Sequence, residues 1–365
     1  MTAELVIITP EIAPGSGGVA DHTLALLREW RKARELTVLA ANPGPIPTDS
    51  AAKVKPLPKS QSEIVAQLPA DGGKVFVQYS AYGYDRLGYP RDLIRALIEW
   101  KKYPGRHLVV MFHEIWAFWS FTNKNFFVQQ LHRRALKHLL EVCDIAFTTT
   151  ASQADHLGRL CPRASVQILP VGSNIRPNRA GKHSRQPGSA VLFGLQLSRI
   201  RSLENMRNSL AALANSGQIK RIISLGQNST PEASARENEL LSSLNLWQGF
   251  AQQSAVAKEE VSRCLSTAEF GLFGQNALSC TKSGSFMAYA AHQLNVLAEF
   301  ANPAESPPVC WLVAPAELLN GIDRRELDRR AECLRMWQEQ NCSWDVIATR
   351  LGRALAIENG AADGN

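Results

Sequence analysis

Short apolar runs rich in β-branched residues alternate with helix-spaced segments along nearly the whole chain, and this alternation limits the fold more tightly than any other feature. It predicts strands at residues 5–9, 36–40, 75–79, 108–112, 145–149 and 166–169, then again at 190–193, 221–225, 246–248, 270–273, 295–298 and 310–313. Strands separated by helical segments imply parallel sheets with helices packed on their faces, an α/β class with doubly wound sheets. The chain has 365 residues, which suits two domains of roughly 150 to 200 residues each. Residues 176–188, RPNRAGKHSRQPG, are basic, carry proline and glycine and have no apolar face, so they read as the connection between the two series. The predicted organisation is a first domain over 1–176, a linker over 177–188, a second domain over 189–342, a last amphipathic helix over 343–358 and a frayed tail over 359–365.

Composition excludes several classes. No apolar run approaches the roughly 18 residues needed to cross a bilayer, and the start MTAELVIITP has Glu4 and no basic segment before its first apolar run. A soluble chain without a signal peptide is expected. The seven cysteines, Cys143, Cys161, Cys264, Cys280, Cys310, Cys333 and Cys342, include no CxxC pair, which favours a reducing cytoplasm over disulfides or zinc. Through Arg176 there are 21 Lys+Arg against 15 Asp+Glu, so the first half carries +6 of the total +7. Part of that charge lies in 124–140, KNFFVQQLHRRALKHLL, an amphipathic basic helix. In it Phe127, Leu131 and Leu139 are expected to share an apolar side, with Arg133, Arg134 and Lys137 in water. It reads as a helix packed on its own sheet, or as one that also rests on anionic lipid at the inner membrane face. Nucleic acid is not an expected partner, because no zinc-finger, RNP-like or KH-like pattern is present.

The motifs fall at strand ends, where open parallel sheets bind ligands. Val6 to Leu27 reads as a strand, a glycine loop and a helix beginning near Val19. Its loop Gly15-Ser16-Gly17-Gly18 has neither the GxGxxG spacing of a dinucleotide site nor the Gly-Lys-Ser/Thr ending of a P-loop. Such a loop suits a phosphate or a sugar hydroxyl, with a simple turn as the bland alternative. His113 and Glu114 follow the 108–112 strand. In the second half, Phe193-Gly194 ends a strand and leads through Ser198, Arg199 and Arg201 to a helix expected after Ser202. Guanidinium groups there suit a diphosphate. Lys282, Ser283, Gly284 and Ser285 precede an apolar helix and form a second anion-ready helix start.

The order of GSGGVADHT at 15–23, FHE at 112–114, PVGSN at 170–174, the Phe193-Gly194 strand end and AHQLNVLA at 291–298 resembles the GT-B glycosyltransferases, family 4 in particular. The resemblance spans nearly the whole chain. It implies two facing Rossmann-like domains, an acceptor site on the first, a nucleotide-sugar site on the second and a final helix returning to the first. By the same resemblance Gly17 and Gly18 approach the donor, His113 contacts the transferred sugar, and Arg199 or Arg201 stands on the donor phosphates. Gly194, Lys282, Ser283, Gly284 and Ser285 would line the donor site, and Asp21 and Glu114 the acceptor side. The chain departs from the family where it matters most: the paired glutamates fall at Cys280 and Ala288, and no lysine follows the arginines at the family's separation.

The implied activity is retaining glycosyl transfer, without a metal or other cofactor, from a nucleotide-sugar to a glycan, lipid-linked or small-molecule acceptor. Two alternatives stand beside it: a non-catalytic GT-B protein that binds a glycan or scaffolds a partner, and another GT-B enzyme such as a sugar-nucleotide epimerase.

Overall fold

A computed structural model describes residues 4–13, 17–30, 36–44, 52–70, 72–115, 126–177, 184–254 and 256–356. The chain divides into two compact units, Met1–Pro170 with Trp344–Asn365, and Val171–Ser343.

The first unit runs β1 (Leu5–Glu11), α1 (Gly18–Trp30), β2 (Leu36–Asn42), β3 (Ala52–Pro56), α2 (Gln61–Gln67), β4 (Lys74–Tyr79), α3 (Ala81–Tyr84) and α4 (Arg91–Lys101). It continues with β5 (His107–Phe112), α5 (Phe126–Val142), β6 (Ile145–Thr148), α6 (Ala151–Leu160) and β7 (Val166–Ile168). The seven strands pair in parallel in the order β3-β2-β1-β4-β5-β6-β7. Chain order reverses between β1 and β4, which puts a topological switch point, the usual ligand position of open α/β sheets, at their carboxyl ends.

The second unit runs β8 (Gln186–Phe193), α7 (Gln196–Asn205), α8 (Arg207–Asn215), β9 (Arg221–Leu225), α9 (Pro231–Ser242), β10 (Phe250–Gln253), α10 (Lys258–Thr267) and β11 (Ala268–Leu272). After these come α11 (Gly284–Ala291), β12 (Asn295–Leu297), α12 (Pro315–Leu319) and α13 (Arg324–Cys342). Its parallel order, β10-β9-β8-β11-β12, reverses between β8 and β11.

Central strands of both sheets are apolar at consecutive positions because helices cover both faces. On β1, Val6 and Ile8 point into one layer with Leu97 and Trp100 of α4, while Leu5 and Ile7 point into the other with Leu27 and Trp30 of α1. The last helix, α14 (Trp344–Ala354), completes that second layer with Ile347 and Leu351. Each such side chain contributes about 1.5–3 kcal/mol by leaving water. Polar contacts fix its register, since Trp30 Nε1 donates to Ala348 O at 3.2 Å and His107 Nε2 to Ala354 O at 2.5 Å.

Several expected elements differ. The segment Ala52–Pro56 is an edge strand whose Lys53, Lys55 and Pro56 hide it from an apolar-run reading. The strand expected at 246–248 lies instead at Phe250–Gln253, and the 310–313 stretch is a 3₁₀ turn, Val309–Trp311, followed by one bridge from Val313 to Leu297. Strand β8 takes the last residues of the expected linker, starting at Gln186, while 178–183 lie outside the described residues.

Candidate functional site

At the first switch point, Glu11 ends β1 and turns its carboxylate onto the start of α1, where it accepts the Ala20 backbone N–H. A β-carbon at Gly17 would stand 2.0 Å from Glu11 Oε1, so a side chain there would displace the carboxylate from this position. The group approaching is the chain's own carboxylate. A helix start leaves N–H groups without partners and a positive end, and Glu11 supplies both the acceptor and the charge. Burial, and secondarily the nearby Asp21, hold the Glu11 carboxyl above the ordinary range against the lowering effect of the Ala20 bond. Gly18 meets no atom within 4 Å of its would-be β-carbon and remains open. Gly15 and Ser16 lie outside the described residues.

Beside this, Gln78 near the end of β4 is fully buried and touches two imidazoles. His113 Nε2 lies 2.5 Å from its Oε1, and His22 Nδ1 of α1 lies 2.9 Å from its Nε2. The His22 and His113 rings stand edge to face with centroids 5.0 Å apart, and Trp344 stands likewise 5.1 Å from His22. Burial pushes His113 down to about 4, and burial followed by the neighbouring His113 holds His22 well below the usual histidine range. Both rings are therefore neutral at pH 7. Glu114 is exposed, with Oε2 3.4 Å from Ser80 Oγ. Of the residues expected here, His113, Glu114, Asp21, Gly17 and Gly18 all fall at the carboxyl end of this sheet or at the start of α1. Glu11, His22 and Gln78 were not anticipated. The one available signal was Gln78 itself, an amide inside the apolar run VFVQY.

In the second unit, α7 starts at Gln196 and not after Ser202, so Arg199 and Arg201 belong to a helix and not to a loop. Arg199 is only 1% exposed. Its Nε and Nη2 fork onto Glu237 at 2.8 and 2.9 Å, Nη1 donates to Gly194 O at 2.6 Å, and Nη2 also donates to Asn228 Oδ1 at 2.9 Å. Glu237 is buried and further accepts from Ser224 Oγ and Gln196 Nε2. Burial pushes the Glu237 carboxyl up, but its bonds from Arg199, Ser224 and Gln196 hold it below the ordinary range. Arg199 is thus committed to the protein. It holds the carbonyl at the end of β8, whereas Arg201 is exposed on α7.

Gly194 sits at φ 142° and Gly226, after β9, at φ 138°. A side chain at either would collide, Gly194 with Ser285 Oγ at 2.5 Å and Gly226 with the Gly194 carbonyl oxygen at 2.2 Å. This packing brings the ends of β8 and β9 against the start of α11. Ser283 caps that helix by accepting from Phe286 N at 3.3 Å, and Gly284 faces open space. Lys282 is exposed beside them, and Val171 of the PVGSN motif donates to Thr281 O at 3.0 Å. Gly194, Ser283, Gly284 and Ser285 therefore converge, with Lys282 next in the chain. The paired-glutamate positions do not join them, because Cys280 and Ala288 are buried in the apolar core with Phe286 and Leu294. Burial pushes the Cys280 thiol up to about 12. Tyr289, also buried, accepts from Phe193 N at 2.7 Å and packs its ring on Gly271.

The basic helix α5 turns a different face outward than its sequence implies. Leu139 is buried, whereas Phe127 and Leu131 are 77% and 40% exposed, so the three do not share an apolar side. Residues 124–125 lie outside the described residues. Among the described residues, no three His, Cys, Asp or Glu side chains gather to hold a metal ion, and no helix is long and apolar enough to cross a membrane.

No protein-family model and no curated protein sequence matches the chain. Solved structures do. The chain is similar to HepE from Anabaena in complex with UDP and glucose, with a TM-score of 0.66, 11% identity and 97% of this chain covering 99% of that one. A glycosyltransferase from Rickettsia africae gives a TM-score of 0.65 at 12% identity, covering 99% and 100%. Sucrose-phosphate synthase from Thermosynechococcus elongatus gives 0.62 at 13% identity, covering 96% and 98%. With two parallel, doubly wound sheets and these neighbours, the chain has the GT-B fold.

Proposed function

We propose that the chain is a glycosyltransferase that moves a sugar from a nucleotide-sugar to a hydroxyl-bearing acceptor. The observation that carries the reading is the convergence, at the second switch point, of Gly194, the Ser285 hydroxyl and the open first turn of α11 beside Lys282. Backbone N–H groups at a helix start, a hydroxyl and an ammonium suit a diphosphate. HepE, which shares the fold, was solved with UDP and glucose, and this supports UDP-sugars as the first donors to try. Donor phosphates rest on Gly284, Ser285 and Lys282, with Arg201 the nearer free arginine in sequence. On the first unit, taken by itself, His113, Asp21 and Glu114 are the candidates for contact with a sugar or an acceptor. Glu11 and not a ligand occupies the start of α1, so Gly17 serves that carboxylate while Gly18 stays open.

Stabilising leaving-group charge with fixed N–H dipoles and Lys282 calls for no divalent ion, and departure of the diphosphate on the face the acceptor approaches gives retention. The test is turnover of UDP-, GDP- and ADP-sugars by the purified chain, with and without EDTA. Transfer or hydrolysis that persists in EDTA, with an unchanged anomeric configuration, is expected. Failure with every donor ends the enzymatic reading.

A second reading has its own observation. Arg199 is locked on Glu237, and Cys280 and Ala288 lie in the core, which fits a GT-B protein that binds or scaffolds without catalysis. A nucleotide thermal-shift screen separates the two, since tight binding of one nucleotide raises the melting temperature by mass action.

We also propose that the first unit rests on anionic lipid, which would suit a lipid-linked acceptor. Phe127 and Leu131 stand outward on α5 beside Arg134 and Lys137. Tyr82 and Leu87, 53% and 55% exposed, are tied to α5 through His132, whose ring lies 5.1 Å from Tyr82 and whose Nε2 donates to Leu87 O at 2.7 Å. Exposed apolar side chains among cations are the pattern of an interfacial helix.

A further inference from the structure

Gln78 joins two imidazoles, the buried His22 and the partly buried His113, through a single amide, and an amide tip has one accepting oxygen and one donating nitrogen. The rings it touches are therefore forced into opposite roles. With Oε1 on His113 and Nε2 on His22, His113 carries its proton on Nε2 and His22 Nδ1 is bare, which leaves the His22 proton on its own Nε2. Turning the amide over would reverse both rings.

His22 Nε2 decides between the two arrangements. That atom is buried and has no hydrogen-bond partner, while the aromatic neighbours of the ring are His113 at 5.0 Å and Trp344 at 5.1 Å. One arrangement leaves an N–H there, which gains weak attraction from aromatic rings; the other leaves a bare lone pair, which gains nothing. The N–H is favoured, and with it the amide orientation that puts a proton on His113 Nε2.

We infer that Gln78 is a positioning residue that holds His113 as its Nε2–H tautomer, so that this ring presents the Nδ1 lone pair to the substrate. Among the described residues Nδ1 takes no hydrogen bond, and His113 is only partly buried at the strand end. A bare Nδ1 accepts from a hydroxyl or an amine and repels a group that can only accept, such as an ionised phosphate oxygen. The substrate group met by His113 is then a sugar hydroxyl. That last step rests on the glycosyltransferase reading; the tautomer does not. Both rings are kept neutral by their burial, so the wiring persists at pH 7.

The experiment is long-range ¹H–¹⁵N NMR of the full chain labelled on histidine, at pH 7, with the two rings identified from His22→Asn and His113→Asn. In the wild type both rings are expected as Nε2–H tautomers. In Gln78→Glu the carboxylate accepts from both rings, so His22 switches to Nδ1–H while His113 keeps its proton on Nε2. Gln78→Met, which removes both bonds, is expected to give mixed tautomers. Finding wild-type His113 as Nδ1–H overturns the inference, and so does a His22 that stays Nε2–H in Gln78→Glu. The wild-type spectrum alone can decide against it, whether or not the variants fold. No turnover enters the measurement, so an inactive protein would refute the enzymatic reading and leave this one standing.

Discussion

Arg199 and Glu237 form a two-point ion pair, Nε to Oε1 at 2.8 Å and Nη2 to Oε2 at 2.9 Å, with both side chains almost wholly out of water. Removing one member of a buried pair strands the other's charge, at a cost of about 3–5 kcal/mol. Arg199→Ala is expected to lower the unfolding free energy by that amount in urea titrations. Arg201→Ala, on the exposed side of the same helix, should change it by less than about 0.5 kcal/mol. An Arg199→Ala protein of wild-type stability with weakened nucleotide binding would return Arg199 to the donor phosphates.

The contact between Glu11 and Gly17 makes a prediction about anions. With Glu11 in place the start of α1 is filled, so inorganic phosphate should not stabilise the wild type there. Glu11→Ala removes a cap, at a cost of about 1 kcal/mol. Phosphate should then recover part of the lost melting temperature. Gly17→Ala should act in the same direction, because its methyl group would displace the carboxylate. Equal phosphate responses in Glu11→Ala and wild type would show that the helix start is not a site in either.

His113 predicts how stability depends on pH. Its folded value is about 4 against an ordinary 6.5, so between these limits the unfolded chain binds a proton that the folded chain does not. Stability is therefore full above pH 6.5 and falls as the pH drops toward 4, by up to about 1.4 kcal/mol per pH unit from this one group. The groups around it are His22 of α1, Gln78 of β4 and the adjoining Glu114, with Asp21 next to His22 in sequence. His22, also lowered, steepens the slope in the same direction. Urea titrations at pH 7, 6 and 5 should show a shallower fall in His113→Gln than in wild type. Parallel curves would mean that the ring is not buried neutral.

These cases mark how far the sequence could be read. Buried parallel strands are apolar on both faces, so β1, β4, β5, β8 and β11 were visible as short runs, and the switch-point motifs followed from their ends. The edge strands β3 and β10 were not, whereas the edges β7 and β12 were expected at 166–169 and 295–298. Three of the five residues of β3 are lysine or proline, as suits an exposed edge, and the 246–248 run misled because its apolar Trp247 is 76% exposed and not part of the core. Arg199 looked like a phosphate ligand because its partner Glu237 lies 38 residues away on another helix. Glycines 17 and 194 were read as donor-site positions, yet the atoms nearest their would-be β-carbons belong to Glu11 in one case and Ser285 in the other. A sequence shows that room is needed but not which neighbour fills it.

The outward face of α5 yields the last prediction. Wild-type protein should sediment with anionic vesicles at low salt and release as salt rises, since each Lys or Arg near an anionic surface contributes about 1 kcal/mol within a screening length. Reversing Arg134 and Lys137 to glutamate should weaken binding at least tenfold, with neutral vesicles unaffected. Phe127→Asp with Leu131→Asp changes two exposed positions, so the fold should hold within about 0.5 kcal/mol while apolar insertion is lost. The residual binding of that double variant should be purely salt-sensitive. Tyr82→Ala would add to the loss only if the α3 turn also meets the bilayer, which its 5.1 Å ring contact with His132 places alongside α5. Absence of wild-type binding at low salt would confine α5 to packing on its own sheet, and an acceptor in free solution would then replace a lipid-linked one.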